Sequence, residues 1–280
     1  MEFLNAVLDF QFLRHALVAG ALAGIACGVV GSYVVVRRIT YIAGAIAHCV
    51  LAGLGVARWL SVARGWPVSP AQGAVVAAVG AALIIGIVSL KAREREDTII
   101  GAVWAIGMAV GILFIAMTPG YHEDLMSYLF GNILLIGGGD LWAMAILDVV
   151  ILVVALGLYP QLEAVCFDEE FARLRGLNVE IYVLVLLVLT ALTVVLLVSV
   201  VGIVLVIALL TLPPAIAGQF TTTLRSMMAL ASVLAVSFTT AGLAVSYSPD
   251  LPAGATTIVI AGGAYLGSLL LKRVVTAFRA

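Results

Sequence analysis

Few side chains in this 280-residue sequence can do chemistry, and two of them lie in places where polar groups are scarce. His48 falls inside the apolar run YIAGAIAHCVLAGLGVARWL, residues 41–60. An ionisable group in such a run is a candidate for a transport pathway, because lipid tolerates polar side chains poorly. A neutral imidazole ligates borderline divalent cations. On a helix, Gly44 and Ala45 lie one turn before His48, and Ala52 and Gly55 lie one and two turns after it. Such a small-residue face admits either a close neighbouring helix or a narrow passage. The alternative role for His48 is a hydrogen bond to another helix with no part in transport. Asp148, in LWAMAILDVVILVV, is a second candidate cation ligand or proton-linked carboxylate. It is also suited to a paired interhelical contact, and no sequence neighbour supplies a partner. Cys49 adjoins His48 but points about 100° around the helix, so the two do not easily grip one ion. Met108, Met117 and Met126 suit packing better than soft ligation.

Two polar segments outside the apolar runs carry further candidates. His122, Glu123 and Asp124 offer an imidazole and two carboxylates, suitable first contacts for a divalent cation and equally ordinary in a solvated loop. Residues 159–180, YPQLEAVCFDEEFARLRGLNVE, contain the pattern of a short helix. Asp168 is its expected cap, Glu169 and Glu170 its first turn, Arg173 and Arg175 its last turn, and Gly176 its stop. Phe171 and Leu174 would be its apolar anchors on a membrane surface. There is no GxxxxGK[ST] phosphate loop, no HExxH, no GxSxG and no Cys/His metal cluster. Cys27, Cys49 and Cys166 form no disulfide framework.

The elements that must position these residues follow from composition. Hydrophobic residues make up 64% of the chain and charged residues 10%, with a mean hydropathy of +1.24. That is too few charges to cover a water-facing surface, which excludes a soluble globular domain, a disordered chain and a fibre. The net charge of −1 excludes a nucleic-acid binder. Continuous apolar runs occupy 12–36, 41–60, 70–90, 98–118, 141–158, 181–199, 202–220, 226–247 and 253–271. They predict an all-α integral membrane protein of eight to nine spans, read as one transmembrane domain over 1–280. A shorter stretch, 125–136, suits a re-entrant or interfacial helix. The ambiguity in span number lies in 181–220, where Gly202 and Pro213-Pro214 are candidate breaks. Arg37-Arg38, Lys91/Arg93/Arg95, Arg173/Arg175, Arg225, Lys272-Arg273 and Arg279 all fall on one side, the predicted cytoplasmic side. No cleavable signal peptide is evident.

Five stretches, taken in order, resemble the permease family of bacterial ABC importers for zinc, manganese and iron. They are RHALVAGALAGIACGVVGSYVVVRRITYIAGAIAHCVLAGLG (14–55), DLMSYLFGNILLI (124–136), FDEEFARLRGLNV (167–179), VGIVLVIALLTLPPAIA (201–217) and GLAVSYSPDLPAGATTIVI (242–260). The resemblance implies a type II ABC importer-like permease in the bacterial inner membrane. It implies a homodimer with a pathway along its axis, two copies of a separate ATPase, and an extracytoplasmic metal-binding protein. The ion is cargo, and no bound cofactor is implied. The short helix from Asp168 to Gly176 would be the coupling segment that fits the ATPase. The family often carries an aspartate one turn before the histidine, in a GDALSH-like sequence. Here that position is Gly44, so either another carboxylate such as Asp148 substitutes or the ion is held only in passing. Two other readings stay open: a cation channel or secondary transporter using Asp148, and a permease for a metal chelate, against which the chain's length weighs.

Overall fold

The structure is a computed structural model that describes residues 2–91, 96–120, 136–249 and 251–279. His122, Glu123 and Asp124, Arg93 and Arg95, and nearly all of the stretch 125–136 lie outside the described residues. The described residues form helices throughout: α1 (Glu2–Asp9), α2 (Gln11–Val36), α3 (Thr40–Arg64), α4 (Pro70–Lys91), α5 (Glu96–Ala116), α6 (Gly138–Gly157), α7 (Tyr159–Phe167), α8 (Glu169–Leu174), α9 (Val179–Phe220), α10 (Leu224–Tyr247) and α11 (Ala253–Arg279).

Local chemistry sets the ends of these helices. At the start of α4, Ser69 and Gln72 exchange hydrogen bonds: the Ser69 amide donates to Gln72 Oε1 at 3.0 Å, and the Gln72 amide to Ser69 Oγ at 3.3 Å. Pro70 sits between them, where its missing N–H costs nothing. Asp140 accepts from the Gly137 amide at 3.0 Å and opens α6. Thr223 accepts from the Ser226 amide and opens α10.

Among the described residues nine helical segments are long and apolar enough to cross a membrane, in agreement with the upper count from the apolar runs. The count depends on α9. Its 42 residues would make a straight rod of about 63 Å, twice a hydrocarbon core. Gly202 breaks it, with φ 78° and ψ 165°, a conformation that favours glycine. Both ends of α9 then lie at one face: it starts directly after α8, and Arg225, just past its end, lies 4.7 Å above the Tyr159 ring of α7. Residues 179–198 and 201–220 are therefore two crossings joined by a tight reversal. Pro213 and Pro214, the other expected break, stay within the helix. The carbonyl that Pro214 leaves without a helical donor is that of Leu210, and Gly31 of α2 packs directly on it.

The helices sort into two groups. One is α3 with α4 and α5. The other is α2 with α6 and α10, where Gly28 lets α2 approach the Ser232 backbone so closely that no Cβ would fit. α9 packs against both groups, while α2 and α3 touch little although only a short turn joins them. Small-residue faces allow this close approach, which is how helices gain packing energy in an apolar solvent. α2, α3 and both halves of α9 are mostly buried, whereas α5, α6 and α11 carry exposed apolar side chains such as Ile106, Trp142 and Val259. A helix that is apolar all round belongs in lipid or against another apolar surface.

Candidate functional site

His48 lies eight residues into α3, and Trp104 lies eight residues into α5. Both helices begin at the face that carries Arg37 and Arg38, so the two side chains share a depth. The imidazole stacks on the indole with ring centroids 4.3 Å apart and an interplanar angle of 26°. Tyr41 continues the aromatic column 6.4 Å beyond Trp104. His48 Nδ1 lies 2.9 Å from the Gly44 carbonyl. A carbonyl only accepts, so Nδ1 carries the hydrogen and Nε2 of the neutral ring keeps a lone pair for a ligand. Orienting a histidine through its second nitrogen is how ligating imidazoles are commonly held.

The small-residue face around His48 is filled by α5 and is not a passage. A Cβ at Gly44 would lie 3.3 Å from Trp104 Cζ3, and one at Gly55 would meet the Gly111 backbone. Gly44 and Trp104 thus fit together: the space a larger side chain would enter is taken by the indole. Cys49 turns away, as its spacing predicts, and its thiol donates to the Val103 carbonyl at 3.2 Å.

Asp148 sits elsewhere. It lies on α6, 3% exposed, within electrostatic reach of Cys27 on α2. Its Oδ1 accepts no hydrogen bond among the described residues. α6 packs on α2 and α9, and α3 on α4, α5 and α9, so the two candidate ligands belong to different helix groups. No cluster of three or more His, Cys, Asp or Glu forms among the described residues.

The second site is the face built by α7 and α8. Asp168 Oδ1 accepts from the Phe171 amide at 3.0 Å and caps α8, as its sequence predicts. Gly176 ends the turn in the left-handed region, φ +79°. Arg175 lies 5.1 Å above the Phe171 ring, and Glu170 is exposed. Glu169 pairs with Arg37 at 2.5 Å, and Arg173 approaches Glu169 at 4.0 Å. Phe171 and Leu174 point away from the rest of the chain, toward the side a membrane surface or a partner would occupy. Ala172 is its buried residue, while Phe171 is 47% and Leu174 88% exposed. With Phe167, also exposed, they make an apolar patch beside a cavity of about 570 Å³ lined by Gln161, Asp168 and Arg175 among others. Tyr159 donates to Glu163 at 2.6 Å. Burial, then the Glu163 bond, raises its phenol pKa against the opposing pull of Arg225. Burial pushes the Cys166 thiol up to about 12, opposed by the charge of Arg37, so it is held unreactive.

Trp104 and the Arg37–Glu169 pair were not identified from sequence. The signal for Trp104 is its equal offset from a helix start on the Arg37-Arg38 face, legible only once the pairing of α3 with α5 is known.

The ABC 3 transport family profile matches residues 9–272. The chain belongs to the ABC 3 transport family. It is the membrane permease subunit of an ABC transporter and not an ATPase. It is 41% identical over 261 residues to a Chlamydia trachomatis protein named "Probable metal transport system membrane protein", covering 93% of this chain and 89% of that one. It is 34% identical over 259 residues to the manganese transport system membrane protein MntC of Halalkalibacterium halodurans, covering 92% and 87%. Among solved structures it resembles PsaBC from Streptococcus pneumoniae in complex with Fab, with a TM-score of 0.85, 31% identity and coverage of 95% and 94%. A type II ABC importer permease fold, all-α and multi-pass, follows from that match.

Proposed function

We propose that this family member is the permease of an importer for a divalent transition-metal ion, with manganese the first candidate cargo and zinc the second. The observation that carries the reading is the His48 imidazole, half-buried within a membrane-spanning helix with Nε2 free to ligate. The names of the manganese and metal transport relatives support the same cargo class. A single imidazole with no adjacent carboxylate among the described residues is a weak site, which suits an ion that must leave as readily as it enters.

The working unit is a homodimer with two copies of a separate ATPase on the cytoplasmic face and an extracytoplasmic metal-binding protein on the other. α8 is the coupling helix: Phe167, Phe171 and Leu174 form an apolar contact for the ATPase, ringed by Glu170, Arg173 and Arg175. That arrangement of apolar centre and charged rim is typical of protein interfaces.

The test is reconstitution of the chain with its ATPase in liposomes, with uptake of radiolabelled manganese and zinc measured with and without ATP. ATP-dependent uptake of the bare ion is expected. Uptake by this chain alone, driven by an ion gradient, would replace the reading with a secondary transporter. Transport of chelated metal in preference to the free ion would replace the cargo.

A further inference from the structure

α2 ends in an arrangement that its own helix does not need. Arg37 is its C-cap, and the side chain is 15% exposed. One arm of the guanidinium, Nη2, meets Glu169 Oε1 in the first turn of α8. The other, Nη1, donates to the Val165 carbonyl in the last turn of α7 at 2.9 Å. One turn earlier on α2, the buried Tyr33 hydroxyl donates to the Ala155 carbonyl near the end of α6 at 2.9 Å. One stripe of α2 therefore grips three successive pieces of chain leading to α8.

The backbone is shaped for this grip. Arg38 takes φ +61°, left-handed, and is the one non-glycine residue to do so among the described residues. Its amide donates to Val35 O at 3.1 Å and the Ile39 amide to Val34 O at 3.0 Å, closing the helix end. A non-glycine residue there costs about 1 kcal/mol. At its other end α2 is tied to the entry of α6, with His15 Nδ1 3.1 Å from the Ile136 carbonyl. Between these ends its backbone is seated on α10.

We propose that Arg37 is the positioning residue that joins the coupling helix to the transmembrane bundle, so that a displacement of α8 is passed to α2. The inference rests on the reading that α8 docks the ATPase. The planar guanidinium holds a carboxylate and a carbonyl at once, which a lysine ammonium does only poorly. Glu169 has a second partner in Arg173, exposed and one turn on, so α8 keeps its own charge balance when Arg37 is removed. The Arg37 contact is then separable from the folding of the coupling helix.

The test uses the full complex with the ATPase in liposomes, with ATP hydrolysis and manganese uptake read in the same vesicles. In Arg37→Gln, uptake per ATP hydrolysed should fall about tenfold, the size expected for loss of a charged hydrogen bond, with hydrolysis and assembly retained. Glu169→Gln, which leaves α2 untouched, should lower the same ratio and serves if Arg37→Gln fails to accumulate. The exchanged pair Arg37→Glu with Glu169→Arg should recover much of the ratio, and Arg37→Lys should fall between. An unchanged ratio in both single variants, or a ratio that the exchange does not improve, overturns the role of Arg37. A wild-type complex without ATP-driven uptake overturns the docking reading itself, and this inference with it.

Discussion

The middle of α3 and the Arg37 end of α2 handle polar chemistry in opposite ways. His48 is held by an aromatic face and a backbone carbonyl, with no carboxylate or cation in contact with it among the described residues. Around Arg37 there are several charges and carbonyls, and Glu169 has two cationic partners within 4.0 Å. The difference follows from solvent. In a bilayer each added charge is costly, so the imidazole is oriented by neutral groups. Where α2 meets α8, water reaches part of the charge on Glu169, which is 42% exposed, and its partners are spread over more than one residue. Substitutions should therefore act through a single residue in the first region and be partly compensated by neighbours in the second.

The largest effect is expected at the single group. His48→Ala should lower metal uptake by at least about tenfold, the lower end of what even supporting residues cost at metal sites, with complex assembly intact. Unchanged uptake would remove His48 from the pathway. Next comes Leu174→Asp, which places a charge in the exposed apolar patch and should weaken ATPase binding about tenfold in a pull-down titration. If affinity holds, the contact lies elsewhere on the cytoplasmic face.

Trp104→Ala should come third, with a severalfold loss of uptake because the imidazole loses its stacking partner, a contact of about 1 kcal/mol; Trp104→Phe should retain most activity. A Phe variant as impaired as Ala would mean the indole does more than stack. Asp148→Asn should change uptake by less than about twofold while leaving the thermal midpoint unchanged or higher, since a buried carboxylate is costly to keep. A loss matching that of His48→Ala would place both helix groups on one pathway. Asp168→Ala is the smallest: removal of a helix cap costs about 1 kcal/mol and should appear as faster amide exchange in residues 169–174 with assembly retained.

Much of this was legible in the sequence, for a physical reason. In lipid the backbone must bond within its own segment, so an apolar run of the right length is a helix and little else. The nine runs accordingly agree with the nine candidate spans. The cap at Asp168 and the stop at Gly176 were also legible, because both depend on local chemistry. What was not legible depends on packing. Gly202 and Pro213-Pro214 were equivalent as break points until α2 was seen to cover the Leu210 carbonyl. That Phe171 and Leu174 stay exposed while Ala172 is buried was not legible either, because it depends on how α8 packs on the bundle. Trp104 was one aromatic among several until α5 was set against α3, and helix α1 was too short to declare itself.

The thin contact between α2 and α3 has a mechanical consequence. Two neighbours in sequence belong to different packed groups, and α9, which touches both, is the element that joins them. α2 and α10 are interlocked at Gly28, while α3, α4 and α5 pack on one another. His48 rides on one block and Asp148 on the other. A spin label on each block would test whether the two groups move relative to one another during ATP-driven uptake: a label distance that ATP leaves unchanged would mean that they move as one body.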